Sequence, residues 1–199
     1  MAKIKHTKNE LKNQQDALAR FERYLPMLQL KKQQLQVEIQ NIEAAIHKAG
    51  QEEQKARQDI ENFVELFSSG EASEDLVTLT GVQTEEGNIA GVAIPVLQDV
   101  KTKRKDYSLF ETPPWIDDAA DLIEKLIRLR LERQTLEEQL RLISDELRTT
   151  TQRVNLFEKV KIPESRENIR VIKIFLGDQQ TAGVIRAKIA KSKIAERAA

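Results

Sequence analysis

The 199 residues include no cysteine, which excludes disulfide staples and thiolate metal sites among them and suits a reducing compartment. Aromatic residues make up only 5%, with a single tryptophan, too few to fill a thick core. No apolar run approaches the roughly 18 residues that cross a bilayer, and residues 1–12 lack the apolar centre of a signal peptide. Net charge is also missing: 32 lysines and arginines balance 32 aspartates and glutamates. A global bias towards nucleic acid or acidic lipid is thereby excluded. Only 7 glycines and 5 prolines occur, and more than half of each fall between residues 70 and 114. Outside that segment glutamine, glutamate, lysine, arginine and leucine dominate, the profile of long helices with narrow apolar seams.

What is present is a repeat. At alternating steps of three and four, the series Leu11, Gln14, Leu18, Phe21, Leu25, Leu28, Lys32, Leu35, Ile39, Ile42, Ile46, Ala49, Glu53, Ala56, Ile60, Phe63 and Phe67 has three polar members, Gln14, Lys32 and Glu53. A seven-residue period held this long is a coiled-coil seam, because a straight helix drifts off it. At 1.5 Å per residue such a helix is roughly 85 Å long and needs a partner. Thr7 with Glu10 three positions on reads as a capping box at its start. Pro26 predicts a bend rather than a stop, and Ser68-Ser69-Gly70 predicts the end.

Residues 70–114 lose the helical period. The runs 76–80 and 89–94 are β-prone, and Glu85-Glu86-Gly87-Asn88 between them predicts a hairpin turn. A basic cluster, Lys101, Lys103, Arg104 and Lys105, follows, and then an irregular stretch to Thr112. This is a head too small for a core of its own. Thr112-Pro113-Pro114 then opens a second helix, with Asp117 and Asp118 where the helix dipole favours acids. Its seam runs Ala119, Leu122, Leu126, Leu129, Arg133, Leu136, Leu140, Ile143, Leu147, Thr150, Val154 and Phe157. Around Pro163 the apolar spacing slips by one position, resuming at Ile162, Ile169, Ile172 and Leu176 until Gly177.

The fold class expected is mainly α: a long antiparallel two-helix coiled-coil hairpin with a small central head containing a short β-hairpin. Its parts are an N-terminal helix over 7–69, the head over 70–114, a C-terminal helix over 115–176 and a basic tail over 177–199. With the two seams closed on each other, facing positions sum to about 186, give or take a turn. Glu53 then faces Arg133, two seam charges that offset each other and set register. Pro26 and Pro163 fall at one height.

Catalytic chemistry finds little support. The two histidines, His6 and His47, have no metal-ligand spacing around them. Gly81, Gly87 and Gly91 match no phosphate loop. The acid pairs Asp117-Asp118 and Glu137-Glu138 suit a helix start and a solvated face. No catalytic, cofactor-binding or metal-binding residue is assigned, and no cofactor is expected. Charge layout says more. Lys3, Lys5, Lys8 and Lys12 at one terminus converge in a hairpin with Arg186, Lys188, Lys191, Lys193 and Arg197 at the other, whereas Glu71, Glu74, Asp75, Glu85 and Glu86 make part of the head acidic. This reads either as two soluble ends or as a rod that docks different partners at tip and head.

Specific residues carry a family resemblance. Thr7-Lys8, Leu11, Leu25, Leu28, Leu30, Lys31, Lys32 and Leu35 are similar to the opening pattern of the D subunit of the V-type (A/V-type) rotary ATPases, the rotor subunit of the central stalk. The run from Arg153 through Val154-Asn155-Leu156-Phe157 to Pro163 and the run Asn168 to Lys173 resemble that family's most specific signature, and Val92-Ala93-Ile94-Pro95 resembles its head. The resemblance spans about residues 3–176 and points to a bacterial branch. It implies a non-catalytic shaft whose tip sits in the ring of catalytic and regulatory nucleotide-binding subunits. Its head end would meet the small F subunit of the central stalk and the funnel-like rotor-cap subunit. It also implies a cytoplasmic location, peripheral on the inner face of the cell membrane, with no nucleic acid and no direct membrane insertion. A prefoldin-like chaperone and a plain coiled-coil tether are the competing classes.

Overall fold

The computed structural model describes residues 4–67, 76–105 and 115–198. In chain order these form α1 (Lys8–Phe67), β1 (Val77–Ile89), β2 (Val92–Arg104), α2 (Trp115–Leu156), a π turn (Phe157–Lys161) and α3 (Ile162–Ala198). The protein is mainly helical, with an N-terminal helix, a two-stranded antiparallel hairpin in the middle and a long C-terminal helical arm. It divides into a central unit, residues 32–148, and a terminal unit, residues 1–31 with 149–199.

Helix α1 starts where the capping signal places it. The Glu10 N–H donates to Thr7 Oγ1 at 3.3 Å, and the Leu11 N–H to the Thr7 carbonyl at 2.9 Å. Only half of the box forms, because the Glu10 carboxylate accepts from the Gln14 amide at 2.9 Å instead. Pro26 lies inside the helix without ending it. From Leu11 to Ile60 every seam position read from the sequence is buried or half-buried. The breaker at Ser68-Ser69-Gly70, the acids Glu71, Glu74 and Asp75, and the Thr112-Pro113-Pro114 helix start lie outside the described residues, as does Lys3.

In the central unit, α1 and α2 run antiparallel. Leu35 and Ile42 pack with Ile143, while further along α1 Glu53 meets Arg133, earlier on α2. The hairpin adds a third element to this core: Ile94 is buried with those residues, and Ile89, Val92 and Val96 pack against them. Its open end is held elsewhere on α2, where Arg104 pairs with Asp121 and Glu124. Between Ile94 and Arg104 β2 covers about 33 Å (ten steps of roughly 3.3 Å), close to the rise of about 29–33 Å along α2 from Ile143 to Glu124 and Asp121. The hairpin therefore lies along α2, as a strap over the helix pair.

The hairpin corrects two expectations. Both strands have 13 residues, longer than the short runs anticipated. The turn is Ala90-Gly91, not Glu85 to Asn88, which lie within β1. Both turn residues have positive φ, 52° and 79°, the mirror-image turn whose twist suits a two-residue hairpin. The Gly91 N–H donates to Asn88 Oδ1 at 2.9 Å, closing it. Of the basic cluster, Lys101, Lys103 and Arg104 belong to β2, and the irregular stretch expected after it, to Thr112, lies outside the described residues. One extra residue on each strand, Thr80 on β1 and Gln98 on β2, makes two bulges that cancel, so the register at the base equals that at the turn.

In the terminal unit, α1 runs antiparallel to the C-terminal arm. The His6 and Phe175 rings lie 4.8 Å apart and those of Phe21 and Phe157 5.1 Å apart. The Asn168 amide donates to Gln14 at 3.4 Å, and Arg166 pairs with Glu22 at 2.8 Å. Phe157 and Asn168 flank Pro163, yet their partners both precede Pro26, and only the longer Arg166 reaches as far as Glu22. Interpolated between the Phe157 and Asn168 contacts, Pro163 faces a position about nine residues before Pro26, so the prolines are staggered by roughly 13 Å, more than two turns, rather than level. The register that pairs Glu53 with Arg133 therefore does not extend through this unit.

The arm has one irregular turn, the π turn. The Ile162 N–H bonds to the Phe157 carbonyl, five residues back, so this turn holds one residue more than an α turn. The one-position slip of the apolar pattern is accounted for by that insertion: Ile162, Ser165 and Ile172 are buried, and Ile169 and Leu176 half-buried. Pro163 supplies a cause. In an α-helix its ring would strike the carbonyl of Lys159, and the wider preceding turn relieves that crowding. Gly177 does not end the helix; α3 continues to Ala198, so the segment expected as a tail is helical.

Candidate interaction surfaces

Among the described residues no group of three or more histidines and acids could hold a metal ion. The chemistry-bearing residues read from the sequence are dispersed. His6 stacks on Phe175, and His47 is exposed on a flank of α1. Glu138 accepts two hydrogen bonds from Arg141, which hold its carboxyl below the usual range, and Arg170 does the same for Glu167. Glu137 lies 3.8 Å from Arg133. Asp117 and Asp118 occupy the first turn of α2. What the fold builds instead are surfaces.

The first is a seam site in the central unit. Glu53 is buried, and its Oε2 lies 2.9 Å from Arg133 Nε. The Arg133 N–H is not directed along that line, so the contact is an ion pair rather than an aligned hydrogen bond. Arg57 approaches the same carboxylate at 3.9 Å. Beside the pair opens a groove of about 380 Å³, lined from α1 by Gly50, Gln54, Gln58 and Glu61 together with these charges.

The second is the strap. Gln139 donates its side-chain amide to the Pro95 carbonyl, which proline geometry leaves facing away from β1. At the other end, Arg104 donates a fork of hydrogen bonds to Glu124, at 2.8 and 2.9 Å, and another to Asp121. The bonds from Arg104 hold the Glu124 carboxyl below its ordinary range, and the bonds to Glu124 and then Asp121 raise the Arg104 guanidinium. Sequence reading missed both anchors. Gln139 sits beside a seam position with no periodic signal, and Arg104 looked like one cation in a cluster.

The third is the end of α3. Past Phe175, the partner of His6, each residue from Gly177 to Arg197 is exposed, including Val184, Ile185, Ile189 and Ile194. A lone helix of this length is marginal in water, and Gly177 and Gly183 weaken it further. Basic residues Arg186, Lys188, Lys191, Lys193 and Arg197 share the segment. An apolar and cationic helix of this kind calls for an apolar, acidic receptor.

These features define a mainly helical chain whose N-terminal helix pairs with its C-terminal arm. Residues 10–192 match the family model described as the D subunit of ATP synthase. The chain is 45% identical over 197 residues to the V-type ATP synthase D subunit of Borreliella burgdorferi, covering 99% of this chain and 98% of that protein. It is 35% identical over 199 residues to that of Chlamydia abortus (98% and 96% covered) and 36% over 196 residues to that of Chlamydia muridarum (97% and 97%). The chain belongs to the ATP synthase D-subunit family, and its place is as a subunit of a V-type rotary ATPase complex. No described helix is long and apolar enough to cross a membrane.

Proposed function

We propose that the chain is the central rotor shaft of that complex. It transmits torque between the nucleotide-binding ring and the membrane rotor, and so couples ATP synthesis or hydrolysis to proton or sodium transport. The observation that carries this reading is the antiparallel seam in both units, with the buried Glu53 carboxylate paired to the half-buried Arg133. Two helices interlocked by side chains resist twisting better than one, and an ion pair that is costly to break resists slippage of register.

The chain is non-catalytic in this reading, and nucleotide chemistry belongs to the ring. The exposed basic helix 177–198 enters the ring. The hairpin-bearing end faces the small F subunit of the stalk and the funnel-like cap, and the protein is peripheral on the cytoplasmic face of the membrane. The same reading assigns Pro26 and Pro163 the task of bending the arm, so that its tip presents different faces to the three catalytic sites. The domain division follows the same reading: 7–69 and 115–176 are shaft, 70–114 the head and 177–199 the docking end.

Reconstitution with and without bacterial V-type ring subunits tests it. Insertion of one chain per ring with a change in ATPase rate is expected. Failure to insert, together with suppression of client aggregation by the free chain, would instead indicate a chaperone.

A further inference from the structure

We propose that the outer edge of β1 pairs with an extended segment of a neighbouring subunit of the complex, a segment that carries apolar residues and a lysine or arginine. This rests on the reading above, in which the hairpin-bearing end of the shaft meets other subunits. The first ground is an overhang. Arg104 and the Thr102 hydroxyl both bond to Glu124 on α2, so this face of the hairpin base is turned to the helix. Leu79 pairs with Thr102 and Val82 with Val100, and residues directly opposite share a face. Val100 and Thr102 are half-buried, yet Leu79 is 45% and Val82 41% exposed. Strand β2 rests on α2, while β1 reaches past it with apolar side chains uncovered.

The second ground is the edge itself. Among the described residues the sheet has two strands, so β1 carries a row of main-chain N–H and C=O groups on the side away from β2. Such an edge invites pairing, and proteins blunt it with proline, lysine or bulges. Strand β2 has all three: Pro95, the pair Lys101 and Lys103, and the extra residue Gln98. Strand β1 has no proline and no cation, and it is uncharged over 77–84. Its one extra residue, Thr80, turns its hydroxyl back to the Lys101 carbonyl at 2.8 Å, and 81–89 runs without another. Alternating main-chain donors and acceptors are matched by another strand, not by a helix, whose main-chain bonds are internal.

Charge then selects the strand. Glu85 and Glu86 follow the neutral stretch, and the exposed Glu86 carboxylate has no partner among the described residues. A second copy of β1 fits badly. Antiparallel pairing about Val82 sets Glu85 against Leu79, and parallel pairing in register sets each acid against itself, which destabilises a sheet. A segment with a cation level with these acids and apolar residues beside Leu79 and Val82 satisfies both parts of the edge.

The test uses the full-length chain assembled with its own ring and stalk subunits. Outer-edge amides of β1 should exchange fast in the free chain and at least about tenfold more slowly in the complex. Glu86→Lys, which breaks no contact among the described residues, should lower affinity for the stalk partners roughly tenfold at low salt. Glu86→Gln should lower it less, and both losses should shrink as salt rises. Thr84→Cys, in a chain with no other thiol, places a photo-crosslinker at the edge, and its adduct should map to an extended segment of another subunit that bears lysine or arginine. Unchanged exchange over 81–88, wild-type affinity in Glu86→Lys, or an adduct on a helix or on a second copy would each overturn the proposal, and the shaft reading would survive. Failure of the wild-type chain to assemble would overturn both.

Discussion

The central and terminal units use the same α1 seam in different ways. The central unit covers its helix pair with a third element, so Leu35, Ile42 and Ile143 are enclosed with Ile94 of the hairpin. The terminal unit has only two helices and carries the irregularities: Pro26, Pro163 and the π turn. Among its contacts are two tilted ring pairs, an amide bond and an exposed ion pair, around a seam that includes Ser165 and Thr150. A strapped helix pair tolerates little change of register, whereas a bare pair absorbs a one-residue insertion by widening one turn. In a shaft, the stiff section and the adaptable section are thereby separated along the chain.

The largest expected effect concerns register. Deleting Val160 together with Pro163→Ala removes the extra residue and leaves Ile162, Ile169 and Ile172 in phase with the seam. This variant should fold with near-normal helix content. Deleting Asp145 instead turns every later seam position by about 100° and should cost several kcal/mol, as for multiple core losses. Urea titrations followed by circular dichroism compare the two. Equal loss in both variants would mean that the π turn does not carry the slip.

Cavity formation probes the strap next. Ile143 and Ile172 are both fully buried. Ile143→Ala should cost about 3–4 kcal/mol and Ile172→Ala about 2 kcal/mol, because a site enclosed by three elements collapses less around a void. Equal costs would show that the hairpin adds no rigidity. A smaller effect lies at the turn. Ala90 holds a φ that alanine disfavours, so Ala90→Gly should stabilise the hairpin by about 0.5–1 kcal/mol, read by hydrogen exchange of the amides in β1 and β2.

The smallest effect depends on pH. Arg104 lowers the folded pKa of Glu124 below its unfolded value. The stabilisation is complete above the unfolded carboxylate range, near pH 4–5, and is lost as pH falls through the lower folded value. The pair is partly exposed, so the contribution is under about 1 kcal/mol. Relative to the intrinsic exchange rate at each pH, protection at Thr102 and Lys103 should fall below about pH 4 in the wild type, with no such step in Glu124→Gln.

Sequence periodicity alone determined the two helices, the seam membership of each residue from Leu11 to Ile60, the pairing of Glu53 with Arg133 and the one-position slip near Pro163. These are legible because a heptad repeat has long range and two such repeats constrain each other. The family signature was legible for a different reason: it resides in runs such as Arg153 to Pro163. Tertiary structure decided what periodicity does not encode. Glu85, Glu86 and Gly87 have poor β-propensity, and they lie in a strand because Ile94, Val96 and Gln139 hold the opposing strand in place. Gly177 ends no helix, because α3 continues past it to Ala198. The slip could be read as a phase change, but its realisation as a π turn followed from where the Pro163 ring must not meet a carbonyl. Gly50 and Arg133 were visible as residues; only the folded helix pair joined them into one groove, because its lining comes from chain segments some eighty residues apart.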